Sequence, residues 1–298
     1  MQKDNTPMWI IFGCIIPDLP WITARIVLPT HLVDPYNLRL YCTIQASLLF
    51  CLFFSATIAC FARRAQRIFL ILSGNCLFHL LLDSLQTKWG NGVHLFAPFS
   101  WKKTSFALIW PDHAATIICT CLGFFYLLFI WKKIVTNPLQ LHPPTKGRIS
   151  IGILFLVCYL AGPLFFLDGL EQTDFYSIHT LRLADTRPGK IIEFDRSHYD
   201  ALHKRVTTFS GEQIRVSGTL PEKSGTVSIK GHFLTPDHII VNHCRFHNNN
   251  RDIGSYLGLF MACILLLQSL IVPGWFNFRK KSLRNKPDTK QTKFQHRK

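Results

Sequence analysis

Five long apolar stretches constrain this chain more than any other feature. Each is long enough, or nearly so, to cross the hydrocarbon core of a bilayer, which takes about 20 helical residues. None contains Lys or Arg, and Asp83 is their only acid. The stretches cover residues 40–62, 68–85, 114–131, 149–167 and 254–276. The sequence therefore predicts an α-helical integral membrane bundle and excludes an ordinary soluble enzyme.

A sixth apolar stretch, residues 8–28, is interrupted by Pro17-Asp18-Leu19-Pro20. It lacks the charged start and the small-residue cleavage site of a removable signal peptide. Two prolines this close free backbone groups that protein or water must satisfy, since lipid cannot. We therefore predict a broken or re-entrant membrane helix, which brings the bundle to about six segments.

Basic residues beside these stretches set the expected orientation, because cytoplasmic loops carry an excess of Lys and Arg. With six crossings and a cytoplasmic N-terminus, most of them fall on the cytoplasmic side. Only Lys102 and Lys103 fall in an outer loop. The chain is thus predicted to be a multi-pass protein of a bacterial cell inner membrane with both termini cytoplasmic, and residues 169–253 are predicted to be periplasmic. The basic clusters lie at 63–67, 132–133, 146–148 and 279–284.

The net charge of +16 is concentrated at one end of the chain. Residues 277–298 contain nine Lys or Arg and one Asp, which contributes +8. Charges in such a position attract anionic headgroups, at about 1 kcal/mol each near the surface. The partners predicted from this basic tail are membrane lipids, and no nucleic acid is expected.

The chain is expected to divide into a membrane helical domain that holds a polar site, a β-rich domain, a last membrane helix and the tail. Alternating runs in the β-rich domain predict short strands separated by turns, with a short helix at 199–206, and so a small, OB-like β-barrel. A periplasmic protein is a candidate partner for it. The four parts are residues 1–168, 169–253, 254–276 and 277–298. The expected strands cover residues 190–194, 213–218, 226–231 and 238–242.

Cysteines and histidines add little chemistry to the outer domain. Nine of the ten cysteines lie in apolar segments, and only Cys244 lies outside, so an intramolecular disulfide is not expected there. His243 and His247 are four residues apart, which in a strand separates them by about 13 Å, too far for one metal ion. The seven histidines of this domain are predicted to be solvated surface residues.

The most informative segment is 68–85, where Asn75, His79 and Asp83 follow one another at intervals of four. On a helix they form one polar stripe, and Gln86 continues it. A carboxylate in hydrocarbon costs about 3 kcal/mol or more, so it should face the bundle interior and have a partner. Three interpretations remain open: His79 and Asp83 ligate a metal, they relay protons in a transporter, or they form a hydrogen-bonded pair that fixes packing.

Two other residues belong to the candidate site. Asp18 lies at a depth in its segment similar to that of His79, so the two residues can meet. Its alternative role is a cap at the broken helix. His94 follows the stripe in a segment of turn residues and aromatics that can fold over the site. It is a candidate fourth ligand or general base, and an ordinary interfacial histidine is the alternative.

The pair His79-x-x-x-Asp83, followed by the Trp-Gly-x-Gly-Val-x-Leu-Phe-x-Pro run at 89–98, resembles a bacterial family. It is the family of inner-membrane metal-dependent hydrolases that includes a LexA-regulated member and is distantly similar to zinc-dependent phospholipase C. Ile16-Pro17-Asp18-Leu19-Pro20 resembles its N-terminal Leu-Pro-Asp-Ile-Asp element. The resemblance covers roughly residues 8–135. It implies a divalent metal, Zn²⁺ first, and a phosphoester or lipid substrate.

The chain departs from that family at two places. The family's His-Arg-Gly-x-Thr-His-Ser element corresponds to residues 40–47, which contain no histidine but include Gln45 and Ser47. The second acid of the N-terminal element is replaced by Pro20 or Trp21.

The leading prediction from the sequence is a membrane-embedded metal-dependent hydrolase. Asp18, His79 and Asp83 would be the metal ligands, and His94 the catalytic residue. It would act on a lipid or phosphoester from the outer face of the membrane. The alternative is a non-catalytic membrane anchor or assembly protein whose β-domain binds a partner. A transporter is a third candidate, disfavoured because the chain lacks paired broken helices in two halves.

Overall fold

Helices make up the N-terminal part of the protein, and a closed β-barrel follows them. The computed structural model describes residues 6–137, 141, 144–174, 176–248 and 252–268. The helices are α1 (Thr6–Ile15), α2 (Leu19–Val27), α3 (Pro35–Gln45), α4 (Leu48–Cys60), α5 (Ala65–Leu85), α6 (Ala114–Thr136), α7 (Lys146–Ala161), α8 (Leu167–Glu171), α9 (Ile178–Arg182) and α10 (Asp252–Gln268). The strands are β1 (Ile191–Asp200), β2 (Arg205–Thr207), β3 (Gln213–Gly218), β4 (Gly225–Thr235) and β5 (His238–Phe246).

Four helical segments among the described residues are long and apolar enough to cross a membrane. The bent pair of α3 and α4 would make a fifth, and α10 is apolar but shorter. The predicted combination of several apolar helices with a small barrel is therefore confirmed. Residues 269–276 of the last predicted segment and the basic tail, 277–298, lie outside the described residues. The four segments are Thr6–Thr30, Ala65–Leu85, Ala114–Val135 and Lys146–Glu171.

The sharpest break in the helices falls where the sequence has no proline. The stretch 40–62, expected to be one helix, consists of α3 and α4, which meet at an angle of 69°. Ser47 is extended there, with φ −73° and ψ 162°, and its hydroxyl donates to the Ala97 carbonyl at 3.1 Å. At Pro17 the chain makes only a short 3-10 turn, Ile16–Asp18, and continues as α2.

Helices α1 and α5 cross at short distance because Gly13 has no side chain. A Cβ atom on Gly13 would lie 2.8 Å from the Cβ of Asn75 and 3.0 Å from the carbonyl of Leu72. Across the same contact, the Cys14 thiol approaches the Asn75 amide oxygen at 3.7 Å. The end of α1 is thus held against the middle of α5, which positions Asp18 beside the polar stripe. The buried core around this crossing includes Met8, Trp9, Ile16, Cys51, Leu72, Cys76 and Leu265.

The five strands form a closed barrel in the order β1-β2-β3-β5-β4. β3 and β5 are parallel, and the other neighbours are antiparallel. Alternate side chains point inward, as expected for strands with one buried face. Five strands closed in this order fit the predicted OB-like barrel. The interior is filled by apolar side chains that include Ile192, Phe194, Val206, Ile214, Val216, Val227, Ile229, Phe233, Ile239 and Val241.

Two expectations about the β-rich domain were wrong. The region 199–206 is not a helix: β1 runs to Asp200, a turn follows, and β2 begins at Arg205. Tyr199 pairs with Val206 across this hairpin, so strand pairing in the closed barrel outweighs the local preference for a helix. His247 is also not a surface residue, since its side chain is 0% exposed.

His247 lies in a buried polar network where the barrel meets the apolar helices. Its Nε2 lies 2.9 Å from the Ser228 hydroxyl, and that hydroxyl donates to Asp195 at 3.1 Å. Its Nδ1 lies 3.6 Å from Asp112, which directly precedes α6. Arg196, at a bulge of β1, pairs with Asp252 at the start of α10 at 2.7 Å. The network therefore ties the barrel to both α6 and α10.

Burial lowers the pKa of His247, although the Asp112 charge opposes the effect. The unfolded chain then takes up a proton near pH 6.5 while the folded chain does not, so folding stability is lost as pH falls below about 6.5. We expect the apparent Tm of the purified protein to fall between pH 7.5 and 5.5. The variant His247→Gln should show a smaller fall. An equal fall in both proteins would contradict a role for this histidine.

Candidate functional site

The structure brings together the three residues predicted as metal ligands. Asp18 comes from the turn between α1 and α2, while His79 and Asp83 lie one helical turn apart on α5. The Nε2 atom of His79 is 3.6 Å from an Asp18 carboxylate oxygen and 4.0 Å from an Asp83 carboxylate oxygen. Asp18 makes no side-chain cap at the start of α2, which removes the alternative role considered for it.

These residues line an open cleft. The side chains of Asp18, His79 and Asp83 are 53%, 21% and 28% exposed, so a molecule entering the cleft can reach all three. Helices α2, α3 and α5 and the segment 88–94 form the walls. The lining residues are Pro17, Asp18, Trp21, Thr43, Ala46, His79, Leu80, Asp83, Lys88, Asn91, Gly92, Val93 and His94.

Lys88 supplies a cation inside the cleft that the sequence analysis did not single out. Its ammonium nitrogen lies 3.0 Å from the Asp83 carboxylate, and its side chain is only 11% exposed. The pair neutralises one of the two carboxylates. An added cation at the same Asp83 oxygen would compete with this ammonium.

His94 lines the same cleft from the loop that follows α5. Its Nδ1 lies 3.0 Å from the Trp101 carbonyl oxygen. A carbonyl only accepts hydrogen bonds, so the neutral ring carries its proton on Nδ1 and keeps Nε2 as an acceptor. Burial, and then the positive charge of Lys103, lower the pKa of His94. The ring is therefore neutral near pH 7 and suited to accept a proton.

The donor types fit a divalent cation. A tetrahedral ion with bonds of about 2.1 Å holds its ligand atoms about 3.4 Å apart, close to the separations of His79 from the two carboxylates. Over the residues that the structure describes, however, no three His, Cys, Asp or Glu side chains form a ready metal-binding group. The ammonium of Lys88 would compete with such a cation for the Asp83 carboxylate.

The positions where the resemblance places family histidines serve packing. Gln45 is buried and donates to the Tyr41 hydroxyl at 2.9 Å and to the Tyr159 carbonyl at 3.2 Å. Ser47 fixes the bend described above. Neither residue lines the cleft, and Thr43 and Ala46 do so instead.

Two members of the predicted polar stripe are also absent from the cleft. Asn75 packs against α1, and its amide donates to the Ile71 carbonyl at 2.7 Å. Gln86 ends α5 and pairs through its backbone with Ile109. The stripe therefore continues along the helix, while the cleft meets only its central part.

The barrel holds the segment that closes one side of the cleft. The backbone N–H of Gly90 donates to the Glu193 carboxylate at 2.8 Å. Lys230 pairs with Glu193 at 2.8 Å, and its ammonium lies 5.1 Å from the centre of the Trp89 ring. β1 and β4 thus position the loop that carries Lys88, Asn91 and His94.

Sequence reasoning missed Trp21, Thr43, Lys88 and Asn91 as cleft residues. Lys88 and Asn91 lie directly after the polar stripe, and their polarity beside an apolar helix was a usable signal. Trp21 and Thr43 carried no such signal, because their place depends on how α2 and α3 pack against α5.

In comparisons with known proteins, no family model, curated protein or solved structure matches this chain. The resemblance to inner-membrane metal-dependent hydrolases therefore stays a prediction based on the motifs in residues 8–135.

Proposed function

We propose that this protein is a multi-pass inner-membrane hydrolase that cleaves a lipid or phosphoester substrate from the outer face of the membrane. The observation that carries the proposal is the convergence of Asp18, His79 and Asp83 in an open cleft. Two carboxylates and an imidazole, from α5 and from the turn between α1 and α2, meet there, together with a neutral histidine.

Membrane insertion is supported by the exposure of the apolar helices. The segment Ala114–Val135 contains an 18-residue window with a mean hydropathy of 2.1, and none of the residues in that window is buried in the protein. A helix that is apolar on all sides and largely uncovered by protein is stable in lipid, whereas in water it would expose a large apolar surface and promote aggregation. Large exposed side chains along it include Ile118, Leu122, Phe125, Tyr126 and Phe129.

The orientation is supported by where the basic residues meet. Arg148, at the start of α7, donates to the Ala62 carbonyl at 3.4 Å, and Ala62 also pairs with Leu141. The basic α4–α5 and α6–α7 connections therefore lie together, at the ends of α5 and α6 away from the cleft and the barrel. The positive-inside rule places that end in the cytoplasm and the cleft outside.

The residues of the cleft have different proposed roles in the hydrolysis. Asp18, His79 and Asp83 would hold a divalent cation, Zn²⁺ first, once Lys88 has moved from Asp83. Such a cation supplies Lewis-acid stabilisation of developing negative charge and lowers the pKa of water at the site. His94 accepts a proton from the attacking water through Nε2, while the Trp101 carbonyl fixes the ring orientation.

Metal content measured on the detergent-purified full chain tests the proposal. We expect about one zinc per chain after zinc is supplied, and its loss in folded His79→Ala and Asp83→Ala variants. His198→Ala, at an exposed barrel position, should keep the metal. Lys88→Ala should bind zinc about tenfold more tightly, because the competing charged hydrogen bond is gone.

Absence of zinc from the wild-type protein and from Lys88→Ala would overturn the metal-dependent part of the proposal. It would favour the second candidate, a non-catalytic anchor or assembly protein whose barrel binds a partner. The ion pair between Lys88 and Asp83 is the observation in favour of that candidate, since it balances Asp83 without a metal. In that case Asp83→Asn is tolerated, whereas deletion of residues 175–247 abolishes function.

A further inference from the structure

Arg39 is a half-buried cation beside the cleft. Its guanidinium carbon lies 4.4 Å from the centre of the Phe209 ring and 6.0 Å from that of Trp21. Phe209 comes from the barrel and Trp21 from α2, so the guanidinium lies where barrel and helices meet. Aromatic rings on two elements restrict its orientation.

The position of Arg39 is at the rim of the cleft. Trp21, which it approaches, is a cleft-lining residue. Thr43 lies one turn further along α3 on the same face and also lines the cleft, and its hydroxyl donates to the Arg39 carbonyl at 2.8 Å. Arg39 does not itself line the cleft, but it lies beside two residues that do.

Among the described residues, none forms an ion pair or accepts a hydrogen bond from this guanidinium. Asp174 and Asp195 are near enough to attract it but not to contact it. Three arginines of the barrel region differ from it: Arg182, Arg187 and Arg196 each contact a carboxylate within 2.8 Å. Since removing a charge from water is costly without a partner, the arrangement is suited to an anion that is not part of the chain.

We propose that the Arg39 guanidinium binds the phosphate group of a phosphate-ester substrate at the rim of the cleft. The proposal deepens the proposed hydrolase function and rests on it for the identity of the bound molecule as a substrate. The planar guanidinium fork matches phosphate oxygens, and lipid headgroups at the outer membrane face carry phosphate esters.

The test is calorimetric titration of the full chain, in a neutral maltoside detergent, with two probes: inorganic phosphate and short-chain phosphatidylglycerol. We expect binding to the wild type and a loss of at least about tenfold in affinity for Arg39→Gln. Arg39→Lys keeps the charge and the aliphatic stem but not the fork, so it should lie between the two. Arg205→Gln, an exposed barrel variant, is the matched control and should bind like the wild type.

Each outcome decides the proposal. Equal binding by a folded Arg39→Gln, or binding of neither probe by the wild type, overturns it. Arg39-dependent binding of phosphatidylglycerol supports it with a lipid headgroup as the source of the phosphate, and binding of inorganic phosphate alone supports it with a soluble source. His79→Ala should bind the probes normally, so Arg39-dependent binding in a protein without metal or hydrolytic activity would leave the phosphate site standing while the hydrolase proposal fails.

Discussion

Replacing Gly90 with alanine is expected to destabilise the protein by about 3 kcal/mol, which lowers its apparent Tm by about 5 to 10 °C. Gly90 has φ +61°, in the left-handed region that costs other residues about 1 kcal/mol or more. An added Cβ would also overlap the Glu193 carbonyl oxygen, which belongs to β1 and cannot rotate away. The loop and the barrel would have to separate, with loss of the hydrogen bond from Gly90 to the Glu193 carboxylate.

A matched variant separates the clash from the backbone strain. Gly189 has φ +80°, but a Cβ there would meet nothing within 4 Å. Gly189→Ala should therefore cost only about 1 kcal/mol, and thermal unfolding of both variants in the same detergent gives the comparison. Equal shifts for the two variants would show that the loop is not fixed against the barrel. A decrease in the protection of residues 86–94 from hydrogen exchange in Gly90→Ala would locate the damage.

Replacing His94 with glutamine is expected to lower kcat/KM by about 100- to 10,000-fold, the usual contribution of a general base. The base must be neutral to act, so the rate falls as pH falls through its pKa. Burial and Lys103 lower that pKa, so the acidic limb of the wild-type profile should lie below about pH 6.5. The measurement is hydrolysis of phospholipid in mixed micelles between pH 4.5 and 8.

The control for this variant is His198→Gln, which changes an exposed histidine of β1 outside the cleft. It should keep both the rate and the acidic limb. In His94→Gln the residual rate should no longer fall at acidic pH, since the titrating group is gone. Retention of the full rate and of the same limb in His94→Gln would exclude His94 as the base and leave it as a structural residue of the loop.

Local periodicity made the helical part of the site predictable. His79 and Asp83 lie on one face of α5 because a helix repeats every 3.6 residues, which the spacing of four encodes directly. The apolar stretches and the alternating strands of the outer domain were predictable for the same reason. Counting depths along the two segments showed from the sequence that Asp18 and His79 could meet, but not that they do.

Contacts between distant elements were not predictable in this way. The bend at Ala46 and Ser47 and the burial of His247 have no local signature. Each depends on a partner far away in the chain, the Ala97 carbonyl for Ser47 and Asp112 before α6 for His247.

The sequence by itself determined the apolar helices, the small β-rich domain and the identity of the polar stripe, because each follows from the spacing of neighbouring side chains. Tertiary structure alone decided which of those polar groups meet. Gly13 lets α1 approach α5 so that Asp18 reaches His79, and the barrel brings Phe209 to Arg39. These contacts depend on the relative placement of whole elements, which is set by the packing of all their side chains at once.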